Sequence, residues 1–170
     1  MSTLRYLAYG SNLHPERLRR RTPSAALVTT CELPGWRLSF EKRGHDGSAK
    51  ATITHTGDRA HRVHAAVYDM VPAEKPALDR VEGLNQGYHE HALSLPGIGE
   101  VWTYLAETEY TDASLVPFRW YRDLVVAGAR FHRFPGIYVE TIERVRVADD
   151  PDPFRQREHD VILAAMRGDP

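Results

Sequence analysis

Leu4-Arg5-Tyr6-Leu7-Ala8-Tyr9-Gly10-Ser11-Asn12-Leu13-His14-Pro15 is the stretch on which the reading of this fold turns. Leu4 to Tyr9 is short, apolar and aromatic, which is the pattern of a buried strand. Gly10 ends it. Pro15 stands where a first helical turn can begin, and Glu16 to Arg21 continue that turn. Asn12 or His14 would cap it, Asn12 being the better capping type. A strand, a glycine-led polar turn and a helix start have a physical use together. The first amides of a helix lack internal partners, and the helix dipole adds partial positive charge at that end. Glycine lets a ligand approach the backbone. Gly10, Ser11, Asn12 and Leu13 are therefore a candidate cradle for a carboxylate or phosphate. The same residues are also ordinary turn chemistry. Neither a Walker A loop nor a dinucleotide fingerprint is present, because both require further glycines.

Outward from this stretch, strands are predicted over Ala26 to Cys31, Trp36 to Phe40, Ala51 to Thr54, Val63 to Met70, Tyr88 to Leu95 and Val101 to Leu105. A short helix is predicted over Ala73 to Val81, stopping at Glu82-Gly83. Helices are predicted again from Pro117, from Pro135-Gly136 to about Val145, and over Arg155 to Arg167. Asp149-Asp150-Pro151-Asp152-Pro153 reads as a stiff acidic linker. Strands come in a run and helices collect late, so the class expected is α+β. One domain is expected over residues 1–170, with the motifs in about 4–146 and a linker and C-terminal helix in 147–170.

Composition narrows the function classes. The chain has 170 residues, 42% hydrophobic and 26% charged, with a formal net charge of -1 from 22 basic and 23 acidic residues. That is ordinary globular usage, with no global field to steer nucleic acid or acidic lipid. The run Arg17, Arg19, Arg20, Arg21 reads as a solvated helix face. One cysteine, Cys31, rules out an intrachain disulfide framework. The first residues lack the pattern of a signal peptide, and no run approaches the ~20 apolar residues of a membrane span. A cytoplasmic location is the default expectation. Nine histidines do not converge with Cys or Asp at ligand spacing, so no metal site is expected. Nothing local marks Cys31 as a nucleophile.

Glu82 stands out for a different reason. It follows an apolar helix face and precedes Gly83. A carboxylate there faces the unfavourable end of the helix dipole, and burial would favour its neutral form further. Such a group can accept and return a proton. A solvated glutamate before a capping glycine is the other reading.

Tyr6-Leu7-Ala8-Tyr9-Gly10-Ser11-Asn12-Leu13 resembles the N-terminal signature of the gamma-glutamylcyclotransferase family (the AIG2-like superfamily). Leu78-Asp79-Arg80-Val81-Glu82-Gly83 resembles its second motif, and Tyr121, Gly128, Ala129, Pro135 and Tyr138 resemble its third segment in type and spacing. The resemblance implies an α+β fold around a small mixed β-barrel flanked by helices. It implies a cofactor-independent enzyme of acyltransferase or lyase type. Such an enzyme releases 5-oxoproline and a free amine or amino acid from a γ-glutamyl compound by intramolecular aminolysis. Glu82 would be the general acid/base. Tyr9, Gly10, Ser11, Asn12, Leu13, Tyr88, Tyr121 and Tyr138 would bind substrate. The partner implied is a small γ-glutamyl molecule; nucleic acid and membrane are not expected, and a homodimer is left open. Two other readings share these residues: a non-catalytic module that binds a glutamyl-like metabolite, and a cyclotransferase that removes a γ-glutamyl group from a specialised metabolite.

Overall fold

The computed structural model describes residues 3–167. Its strands are β1 (Leu4–Ala8), β2 (Ala26–Pro34), β3 (Trp36–Arg43), β4 (Ala49–His55), β5 (Arg62–Met70), β6 (Tyr88–Leu95) and β7 (Gly99–Ala106). Its helices are α1 (Pro15–Arg19), α2 (Lys75–Glu82), α3 (Arg119–Phe131), α4 (Gly136–Glu143) and α5 (Pro153–Arg167).

Five strands form one sheet in the order β2-β5-β1-β7-β6. β1 pairs antiparallel with β5 and parallel with β7. This central place explains its unbroken apolar run: Leu7 and Ala8 are 0% exposed, with neighbours on both edges and both faces. β3 and β4 form a separate hairpin that packs on β5 and β7. The α+β class is as expected, but the barrel is not closed. β2 and β6 are the two edges of the larger sheet, and no ladder joins the hairpin to it among the described residues.

Two elements differ from expectation in ways that matter for the site. α1 is only five residues long and begins at Pro15, with His14 rather than Asn12 as its cap: His14 Nδ1 accepts from the Glu16 amide at 3.1 Å. Asn12 is thereby released for other bonds. The acidic stretch before α5 is not a solvated linker. The Asp150 side chain is shielded from solvent and accepts from Trp120 Nε1 at 2.8 Å and from both Arg155 Nε and Nη2 at 2.6 Å. α5 then buries His159, Ile162, Leu163 and Met166 against the body, with the His159 ring stacked on Trp120 at 3.5 Å.

α3 presses on the turn that follows β1. A Cβ placed on Gly128 would stand 2.4 Å from Leu13 Cβ and 2.9 Å from His14 N, so only glycine permits this approach. Tyr68 Oη and His132 Nε2 both donate to the Leu13 carbonyl, at 2.6 and 2.7 Å. The turn is therefore held from beneath by a helix and by two side chains.

Candidate active site

The turn begins where the central strand ends. Leu13 N–H donates to the Gly10 carbonyl at 3.1 Å, which closes the turn and leaves the Ser11 and Asn12 amides without a backbone acceptor among the described residues. With α1 so short, any anion here would be held by these loop amides and not by a helix end. A Cβ on Gly10 would be tight, 3.2 Å from Ala51 Cβ, and in ordinary contact with Tyr121 Oη at 3.7 Å.

Glu82 is the last residue of α2. The helix is fixed by buried Leu78 and by Asp79, which accepts from Tyr104 Oη at 2.6 Å and from Lys75 Nζ at 2.9 Å. Gly83, at φ 74°, caps it. The Glu82 side chain is 17% exposed. Its Oε1 accepts from Asn12 Nδ2 at 3.0 Å and from Arg21 Nη1. The same Arg21 nitrogen donates to Asn12 Oδ1 at 2.8 Å, and Asn12 Nδ2 also donates to Tyr6 Oη at 3.1 Å. Arg21 thus supplies the positive charge that the C-terminal end of α2 withholds from a carboxylate. Oε2 takes no hydrogen bond from the described residues.

Tyr6, Tyr9, Gly10, Ser11, Asn12, Ala51, Glu82, Tyr88, Tyr104 and Tyr121 line the floor of a cleft, a narrow cavity of about 20 Å³. An outer cavity of about 260 Å³ shares Ser11, Glu82, Tyr88 and Tyr121 with it, so the two adjoin. The tyrosines fall into two sets. Tyr9 Oη donates to the Tyr104 carbonyl at 2.5 Å, Tyr88 Oη to the Ala51 carbonyl at 2.6 Å, and Tyr104 Oη to Asp79. Tyr6 and Tyr121 hydroxyls instead accept, from Asn12 and from the Ala51 amide at 3.0 Å, and so keep a proton to donate. Burial holds all five phenols above their ordinary value, Tyr121 at about 12.

Of the residues predicted from sequence, Tyr9, Gly10, Ser11, Asn12, Glu82, Tyr88 and Tyr121 meet in this cleft. Leu13 and Tyr138 do not. Leu13 is 0% exposed beneath the turn, with its carbonyl already taken. Tyr138 sits on α4 against His64, ring centroids 4.7 Å apart, and lines a different cavity of about 360 Å³ beside β3. α4 packs chiefly on α3, and its outer face borders that cavity.

Tyr6, Tyr104 and Arg21 were missed. Tyr104 carries no local signal. Nor is the arginine run the solvated face expected: Arg17 is buried and Arg21, past the end of α1, is largely covered, while Arg20 pairs with Glu16 at the surface. A larger cavity of about 550 Å³ opens among α3, α4 and α5 over Val126, Phe131, Leu163 and Met166, and shares no lining residue with the cleft. No group of three or more His, Cys, Asp or Glu is placed to hold a metal among the described residues. Burial pushes the Cys31 thiol up to about 11, which makes it a poor nucleophile. No helix among the described residues is long and apolar enough to cross a membrane.

Comparison with known proteins gives a consistent result. Residues 6–123 match the family described as Gamma-glutamyl cyclotransferase, AIG2-like. The chain is 28% identical to a mouse gamma-glutamylcyclotransferase over 94% of its own length and 88% of the relative's. It is 27% identical to the human protein of that name, over 92% and 86%. Among solved structures, a gamma-glutamyl cyclotransferase superposes with a TM-score of 0.81 at 24% identity, covering 96% of this chain and 99% of the other. That likeness speaks to the fold.

Proposed function

The chain belongs to the gamma-glutamyl cyclotransferase, AIG2-like family, and on that premise we propose that it releases 5-oxoproline and a free amine or amino acid from a γ-glutamyl compound. The observation that carries this reading is the placement of Glu82. Its carboxylate lines one cleft with the turn Gly10 to Asn12, one oxygen held by Asn12 and Arg21 and the other unengaged.

In the proposed reaction the polar head of the glutamyl group enters the floor of the cleft. Its α-carboxylate meets the Ser11 and Asn12 amides. The α-nitrogen gives up a proton to Glu82 Oε2 and attacks the γ-carbonyl carbon. A carbon–nitrogen bond forms, closing a five-membered ring, and the original amide bond breaks. Overall the attacking nitrogen loses two protons and the leaving nitrogen gains two, with Glu82 as the relay, so no outside reactant is needed. The nucleophile is tethered to its target, which keeps the entropic cost of ring closure small. Hydroxyls of Tyr6 and Tyr121, each with a proton to donate, would support the developing oxyanion.

Assay of 5-oxoproline release over a panel of γ-glutamyl dipeptides and amides tests the reading. The wild type should turn over at least one, and Glu82→Gln should lower kcat by about a thousandfold. Gln can still accept from Asn12 and Arg21 but leaves the Arg21 cation without its anion, so its melting temperature should fall while the protein stays folded at assay temperature. Absence of turnover across the panel would overturn the assignment.

A further inference from the structure

The outer cavity holds an imbalance of charge that proton transfer does not use. Its lining includes four cations, Arg17, Arg21, Lys42 and Lys50, and two carboxylates, Asp46 and Glu82. Arg21 pairs with Glu82, and Lys50 pairs with Asp46 at 2.7 Å. Arg17 and Lys42 remain. Both are buried, at 9% and 3% exposure, and neither makes a salt bridge among the described residues. Arg17 Nε is buried with no hydrogen-bond partner. Among the described residues, Lys42 Nζ meets the face of the Tyr88 ring, 4.5 Å from its centroid, and no carboxylate. The carboxylates that act electrostatically on Arg17 are Glu82 and Glu158, and those acting on Lys42 are Glu82, Asp46 and Glu107; none of them closes a salt bridge with it among the described residues.

Burying a cation without an anion is costly, and a fold keeps such a group where a ligand supplies the counter-charge. Burial and the neighbouring Arg21 pull the Arg17 guanidinium down only to about 10, so it is a cation at neutral pH. Burial lowers Lys42 as well. Two positive charges without a salt-bridge partner among the described residues line one cavity that Glu82 also lines. Trp120, Tyr121 and His159 form its aromatic wall.

We infer that the outer cavity is a subsite for a leaving group with two negative charges, a dicarboxylic amino acid whose carboxylates are met by Arg17 and Lys42. This rests on the cyclotransferase reading and adds to it the charge of the departing half of the substrate.

The test compares kcat/KM for γ-glutamyl-glutamate, γ-glutamyl-glutamine and γ-glutamyl-ethylamide, whose leaving groups carry two, one and no carboxylates. The wild type should prefer glutamate over its near-isostere glutamine by about tenfold, the range expected when one buried charge pair is completed. Lys42→Met and Arg17→Gln should each pull that ratio toward one. Comparable kcat/KM for all three substrates would overturn the subsite and leave the cyclotransferase reading intact. No turnover of any would overturn that reading instead. Calorimetric binding of free glutamate against glutamine then decides the subsite alone: tighter glutamate binding that is lost in Lys42→Met supports it, and equal binding ends it.

Discussion

Arg21 shows how much one side chain can settle. It joins Glu82 to Asn12, so the proton carrier and the substrate turn share a single fixed geometry. Replacing it with Gln leaves a mostly buried carboxylate without its cation, a change that costs about 3 kcal/mol where such a pair is broken. Arg21→Gln should therefore lower both stability in denaturant titration and kcat. Tyr138→Phe, distant from the cleft, should keep kcat/KM within about twofold, as surface-remote substitutions do. A stable, fully active Arg21→Gln would show that Glu82 does not depend on it. Local position alone left Glu82 open as a solvated glutamate before a capping glycine and Gly10 to Leu13 open as an ordinary turn; the family resemblance is what singled out Glu82 and Tyr9, and the structure brings both to one cleft. The sequence hid Arg21 inside a run of arginines, because which of these cations turn inward, Arg17 and Arg21 as it proves, depends on where a five-residue helix stops.

Elements were legible in proportion to how local their causes are. β1 was readable because a strand buried on all sides must be apolar along its whole length. β2 and β3 run further than expected, to Pro34 and Arg43, because pairing with β5 and β4 carries polar residues into the ladder. The contact between α3 and the turn was not readable, since it joins residues 128 and 13. It is nonetheless decisive: a methyl on Gly128 would collide with Leu13 and the His14 backbone. Gly128→Ala should destabilise the fold by about 1–3 kcal/mol through overpacking. It should also lower kcat/KM more than it lowers kcat, because the displaced turn carries the proposed substrate amides. Wild-type values for both would mean that the turn is not braced by α3.

Across the whole molecule, the late helices are fastened through Asp150. Hydrogen bonds from Arg155 hold its carboxyl at about 2, below the ordinary 3.8. The folded state therefore gains from this group above about pH 4, and the gain fades as pH falls toward 2. Melting temperatures of the wild type and Asp150→Asn should differ most above pH 4 and converge near pH 2; a constant gap would mean that the carboxylate's charge is not what fastens α5. An acidic, proline-rich stretch gave no hint of this, because its partners, Trp120 and Arg155, lie in two different helices. Nor does the open sheet limit the cleft, which is walled by strands, helices and five of the chain's eight tyrosines. Those five hydroxyls stay protonated well into alkali. A loss of turnover at moderately basic pH must then originate elsewhere, in the substrate or in the cations of the outer cavity, Arg17 at about 10 among them, because the phenols of the floor do not ionise there.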